Sequence, residues 1–185
     1  MSAMQSVPEV GSGAGRSDAR RPFEEQVWAA LAEVPDPEIP QVSVVDLGVI
    51  GSVEADPQRI RVELLPTFVG CPAIDVMRRA ISERLSGMSE SVEVKISFAQ
   101  PWTSERITAL GRRRLRKSGF APPEGRPLLS AAGHAQAPIS LSRPAPCPYC
   151  GSRRTQLESA FGPTLCRAVH YCTSCRQPFE QFKTV

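Results

Sequence analysis

Six cysteines and a few acidic residues carry what chemistry this chain can do. Four of the thiols form two knuckles, Cys147-Pro-Tyr-Cys150 and Cys172-Thr-Ser-Cys175, with 21 residues between them. Each C-x2-C knuckle aims two thiolates at one ion, and two knuckles complete a tetrahedron. The pattern predicts a zinc ribbon, with strands over 155–161 and 165–171 around Gly162-Pro163. Four protein ligands leave no open position, so the ion is structural rather than catalytic. A rubredoxin-like iron site is the minor alternative. A unit of about 40 residues buries too little surface to hold itself together, which is why a metal staple is expected.

Two thiols lie outside that pattern. Cys71 falls in Thr67-Phe68-Val69-Gly70-Cys71-Pro72, where a strand hands over to a helix. Proline suits the first helical position, which makes Cys71 the predicted N-cap. A sulfur there faces free N–H groups and the positive end of the helix dipole, and its pKa is expected to fall. Asp75 opposes that shift, and a lone cysteine also serves as a small buried hydrophobe. Cys166 is six residues from Cys172, roughly 20 Å along an extended strand, too far to share its ion. It reads as a free thiol, structural or redox-active. His170 is not needed as a ligand beside four cysteines, and His134 is isolated.

The acidic candidates are Asp36 and Glu38, in the stiff segment Pro35-Asp36-Pro37-Glu38-Ile39-Pro40, and Asp46 beside Gly48. Residues two apart in an extended chain point the same way, so Asp36 and Glu38 could face one site. Spacing alone favours ordinary turn and cap roles for both.

These residues need a scaffold, and the apolar periodicity supplies one. A helix is expected over 21–34 (Phe23, Val27, Leu31), ending at Pro35. Strands follow over 49–55 and 59–65, the second alternating Ile60, Val62 and Leu64 with charged residues. A helix runs over 72–85 (Ile74, Met77, Ile81, Leu85), then a strand with Val92, Val94, Ile96 and Phe98. A third helix, capped by Thr103 or Ser104, runs to Lys117. The order implies an α+β fold, a small mixed sheet with helices packed on it. The expected organisation is a disordered leader over 1–21, an α+β domain over 22–118, a Pro-rich linker over 119–145 and the ribbon over 146–185.

Composition narrows the class. Residues 106–126 hold seven cations and one acid, so the remaining chain sums to −3 against a net charge of +3. No aromatic residues interleave with the cations of Gly111-Arg112-Arg113-Arg114-Leu115-Arg116-Lys117, which argues against nucleic acid as a partner. No apolar run suits a membrane span, and residues 1–21 have no secretory h-region, so a cytoplasmic location with reduced thiols is expected.

With Asp36-Pro37-Glu38-Ile39-Pro40, Val45-Asp46-Leu47-Gly48, Gly70-Cys71-Pro72, Pro101-Trp102-Thr103 and the ribbon through Phe179-x-x-Phe182-Lys183, the sequence from about Phe23 to Val185 resembles the PaaD-like accessory subunits of bacterial phenylacetyl-CoA epoxidases. These are similar in turn to SufT-like iron–sulfur assembly proteins, which lack the ribbon. The resemblance implies a maturation role in a di-iron monooxygenase system of aerobic phenylacetate breakdown, with no catalytic activity of its own. It implies that Cys71 is a reactive thiolate or one that transiently binds iron or an iron–sulfur centre, with Asp36, Glu38, Asp46 and Thr67 lining its site. The implied partners are the oxygenase and reductase subunits, and a homo-oligomer stays open. A scaffold docking those subunits through the ribbon and the basic helix is the alternative; a thiol enzyme using Cys71 and Cys166 is the third.

Overall fold

The computed structural model describes residues 15–68, 70–124 and 144–183, with side chains from residue 21 onward. Residues 1–14 of the expected leader, most of the expected linker and His134 lie outside the described residues.

The first helix, α1 (Gly15–Leu31), starts six residues earlier than the periodicity implied. Ala19, Arg20 and Arg21 are good helix formers, and Pro22 gives up one backbone bond without ending the helix. Val27 and Leu31 are fully buried, with Phe23 and Trp28 packed beside them. The next elements follow the alternation closely. Strands β1 (Ile50–Ala55) and β2 (Arg59–Leu64) pair antiparallel across a turn in which Asp56 accepts the N–H groups of Gln58 and Arg59. Ile60, Val62 and Leu64 point inward while Arg59, Arg61 and Glu63 stay exposed.

Helix α2 (Ile74–Leu85) carries the chain back over the sheet, so β3 (Ser91–Ile96) lies parallel to β2. The sheet order β1-β2-β3 is therefore mixed, as an α+β fold of this kind requires. Met77, Ile81 and Leu85 of α2 are buried against it. The β3 stripe falls short of expectation: Ile96 and Phe98 are exposed, because β3 is an edge strand and ends before Phe98.

The third helix also begins later than expected. Ser104–Arg106 form one 3-10 turn, and α3 (Ala109–Lys117) starts beyond it. Its cap is Thr108, whose hydroxyl accepts the Gly111 N–H at 2.8 Å; Thr103 makes no such bond. Close approach explains two glycines here. A Cβ on Gly48, which has φ +66°, would lie 2.3 Å from the Arg106 carbonyl oxygen. One on Gly111 would lie 2.4 Å from the Asp46 carbonyl oxygen. Residues 46–48 and α3 thus meet backbone to backbone.

The second sheet has the order β4-β7-β6-β5, from β4 (Phe120–Ala121), β5 (Thr155–Ser159), β6 (Arg167–Cys172) and β7 (Gln177–Phe182). β7 extends the expected two-stranded ribbon. β4 comes from the expected linker: its apolar pair lies parallel to β7, and Ala121 is buried with Ala145, Cys147, Cys172 and Phe179. The ribbon is also fastened to the first sheet's core. Phe182 is buried among the α+β core residues, 6.0 Å from the Trp102 ring, and the Trp102 indole donates to the Leu47 carbonyl at 2.9 Å.

Gly111→Ala should lower stability by about 1–3 kcal/mol, since backbone rather than a movable side chain fills the space a methyl needs. Urea unfolding followed by circular dichroism measures this.

Candidate functional site

Two sites emerge, both built from thiols. In the ribbon the Sγ atoms of Cys147, Cys150, Cys172 and Cys175 all lie within 4.8 Å of one another. Cys147 and Cys175 are 3.6 Å apart, as are Cys150 and Cys172. A tetrahedral ion with bonds of about 2.3 Å needs sulfur–sulfur edges of about 3.8 Å, so the cluster fits one. Backbone makes it local. β6 ends at Cys172, and the turn after it returns at Arg176, whose φ is 60° and whose N–H donates to the Cys172 carbonyl. N–H groups of Cys175 and Ser174, the former the stronger, push the Cys172 thiol down to about 6 despite its burial. Cys175 is pushed up to about 12, by burial first and then by its sulfur neighbours. A cation at the centre resolves this by deprotonating the set. His170 stays out: its ring stacks on Phe179 with centroids 5.4 Å apart. Cys166 is outside the cluster, as its spacing implied.

The second site surrounds Cys71. The chain turns at Phe68–Cys71, with the Cys71 N–H donating to the Phe68 carbonyl at 3.2 Å, and Gly70 takes φ +85° to allow it. Helix α2 begins only at Ile74, with Ala73 as its cap residue and no side-chain cap bond. Cys71 is therefore not the N-cap. Its sulfur meets the Ala73 N–H, but burial outweighs that bond and the charges of Cys166, Glu38 and Asp36 add to the effect, so the thiol is pushed up, not down. The shift thus runs opposite to the lowered pKa expected of an N-cap thiol, because a half-buried sulfur loses more hydration than one N–H restores.

Glu38, Thr67, Phe68, Gly70, Cys71 and Pro72 line a cavity of about 30 Å³ together with Thr164, Leu165 and Cys166 from the ribbon. That is more than the roughly 10–15 Å³ one water-sized group needs. A larger hollow of about 330 Å³ beside Gln41, Arg114, Lys117 and Ser118 holds neither thiol nor carboxylate.

The acidic residues divide. Asp36 is buried and turns back on its own loop, accepting the Glu38 N–H at 3.0 Å and the Ile39 N–H at 2.8 Å. Burial raises its pKa, while those two bonds oppose the rise. The segment is thus a turn, not the extended run in which Asp36 and Glu38 share a direction. Asp36 acts on Cys71 through its charge, not as a cavity wall. Glu38 does reach the cavity, held by the guanidinium of Arg167. Asp46 does not line it. Its carboxylate accepts Ser43 N–H and Thr108 O–H, each at 3.2 Å, and binds Arg114, which commits it to the cap of α3. Thr67 is buried at the cavity wall. Sequence reasoning missed Thr164, Leu165 and Arg167, and it left Cys166 without a place; only the contact between ribbon and sheet brings them to Cys71. Some cations of the basic segment are engaged within the chain as well, while Arg113, Arg116 and Lys117 are exposed. Arg106 donates to the Gly48 and Ile50 carbonyls at 2.8 Å, and Arg112 donates to the Ser104 and Pro123 carbonyls.

A model of the PaaD zinc β-ribbon domain matches residues 132–183, and one of iron–sulfur cluster assembly proteins matches residues 24–97. A protein of Escherichia coli (strain K12), provisionally named as one of the subunits of 1,2-phenylacetyl-CoA epoxidase, is 36% identical over 161 residues, 86% of this chain and 92% of that protein. The chain belongs to the PaaD family. Among solved structures, a DUF59 domain of unknown function from Bacillus anthracis is 27% identical, with a TM-score of 0.50, over 54% of this chain and 96% of that one. The conserved hypothetical protein TM0487 from Thermotoga maritima is 29% identical, with a TM-score of 0.43, over 50% and 92%. The DUF59 likeness supports the α+β fold assigned here to the first part of this PaaD-family chain. No helix among the described residues is long and apolar enough to cross a membrane.

Iodoacetamide should alkylate Cys71 more slowly at pH 7 than it alkylates an unstructured cysteine peptide. Its rate should still be rising where the peptide's has levelled, because the folded thiol's pKa is raised. Peptide mass mapping across pH 6–10 checks the profile; a midpoint below the peptide's would contradict the assigned shift.

Proposed function

We propose that this PaaD-family chain is an accessory subunit of a phenylacetyl-CoA epoxidase and helps assemble an iron or iron–sulfur centre of that complex, with no catalysis of its own. The observation that carries the reading is the position of Cys71, half-buried at the mouth of a small cavity within the segment similar to iron–sulfur cluster assembly proteins. Iron is cargo in this reading. A protonated, shielded thiol suits that role: it stays unreactive until a metal displaces its proton, and it releases the metal as the proton returns. Glu38 supplies negative charge toward the cation, and Thr67 is part of the same cavity lining. The partners are the oxygenase or reductase subunits, met transiently in the cytoplasm.

The four ribbon cysteines hold zinc in this account, and the ion is structural. With four sulfurs already around it, no position is open for substrate. Its contribution is to fold the β5–β7 ribbon, whose burial alone is small. The scaffold reading keeps only part of its basic-helix anchor: Arg112 and Arg114 are bonded within the chain, while Arg113, Arg116 and Lys117 are exposed.

Cys71→Ala should fold with unchanged circular dichroism yet lower the iron content and activity of a co-expressed epoxidase by tenfold or more, on the order expected for losing a metal ligand. Full iron loading and activity in that variant would sink the assembly role. Elemental analysis of the purified chain should find one zinc per chain. Stripping it with a strong chelator at pH 7 should abolish the ribbon's tertiary signal while the α1–α3 helical signal persists; mainly iron, or no metal, would refute the zinc assignment.

A further inference from the structure

Cys166 stands outside the ribbon's metal cluster, yet it is no stray thiol. It immediately precedes β6, where the Lys183 N–H donates to its carbonyl at 2.9 Å and the Arg167 N–H donates to the Thr164 carbonyl at 3.1 Å. This tight turn holds Thr164, Leu165 and Cys166 in the lining of the cavity that Cys71 also lines. Both thiols thus line one cavity of about 30 Å³, and the Cys166 Sγ lies 3.2 Å from the Thr164 hydroxyl. Glu38 adds a carboxylate to the same cavity. Arg167, one residue beyond Cys166, binds that carboxylate, so the element that delivers the second thiol also positions the acid.

We propose that Cys71 and Cys166 together form a second, transient metal site, a two-thiolate seat for a soft to borderline divalent cation or for one iron of a cluster, with Glu38 as its carboxylate neighbour. The site is split between the two sheets of the fold, and docking of the ribbon completes it. Binding M²⁺ forms two metal–sulfur bonds and releases two thiol protons, with no change of oxidation state. Two thiolates leave at least two positions of a tetrahedral or larger coordination shell unfilled. The remaining positions fall to water or to a sulfur of the incoming or receiving partner, which is what a site that passes its metal on requires. Among the described residues only the ribbon cysteines gather three or more ligand atoms at one point, so this seat is the weaker of the two. The inference rests on the reading of Cys71 as a metal-holding thiol and adds the residue that shares its load.

The test uses the reduced, full-length, zinc-loaded chain under anaerobic conditions, titrated with Co²⁺ while zinc release is monitored. Wild type should take up one Co²⁺ without losing zinc and develop thiolate-to-cobalt charge-transfer absorption. Cys166→Ser and Cys71→Ser should each show about half that intensity and bind at least about tenfold more weakly, and the double variant should show none. Unchanged affinity and intensity in Cys166→Ser would overturn the two-thiol site while leaving a maturation role for Cys71 alone intact. Absence of any zinc-sparing cobalt uptake by wild type would overturn both. A second measurement does not depend on variant folding. Phenylarsine oxide, which bridges neighbouring thiols, should link the Cys71 and Cys166 peptides of wild type one-to-one. Arsenic found on either peptide singly, with no bridged product, would also overturn the proposal.

Discussion

Arg167 is almost closed off from water, and its guanidinium reaches two carboxylates from distant parts of the chain. Glu38 comes from the turn after α1, and Glu180 from β7 at 3.0 Å. A buried cation is tolerable only when neutralised, and removing either acid leaves part of its charge unanswered. The pair therefore fixes the direction in which the ribbon lies on the α+β sheet more than it adds net stability. Phe120 lies 5.0 Å from the same guanidinium, and Phe182 enters the main core nearby in sequence. Charge sets the orientation, and apolar burial supplies the attraction.

That fixed orientation is what gives the two thiol sites their different characters. The ribbon cluster is closed by its own knuckles. Its sulfurs are a few ångströms apart wherever the ribbon sits, and backbone N–H groups already favour one of them as thiolate. Cys71 has one N–H and a shortage of water, with Cys166, Glu38 and Asp36 adding unfavourable charge. The first environment suits permanent ligation. The second raises the thiol's pKa through burial and nearby negative charge, and only the packing of the ribbon against the α+β domain creates it.

Several features were legible because they depend on neighbours in the chain. The alternation in 59–64, the spacing of Met77, Ile81 and Leu85, and the C-x2-C knuckles each encode their own geometry. The misreadings have local causes as well. Thr108 outcompetes Thr103 as a cap because α3 must start where Gly111 can pass the Asp46 backbone. Asp36 serves its own turn because two N–H groups lie within reach of its carboxylate. Asp46 looked like a companion of Cys71 but belongs to α3, since Thr108 and Arg114 reach it first.

The sequence by itself determined the α+β elements, the clustering of the four ribbon sulfurs and the resemblance to the PaaD family, because periodicity and short ligand spacings are properties of adjacent residues. It also separated Cys166 from the ribbon cluster, on distance along a strand. Tertiary structure alone decided that Cys166 and Glu38 line one cavity with Cys71 while Asp46 does not, and that Phe120-Ala121 is a strand rather than linker. Those contacts link residues as much as 129 positions apart, as for Glu38 and Arg167. They arise from burying Phe182 and neutralising Arg167, and no local pattern records which surfaces will meet to do so.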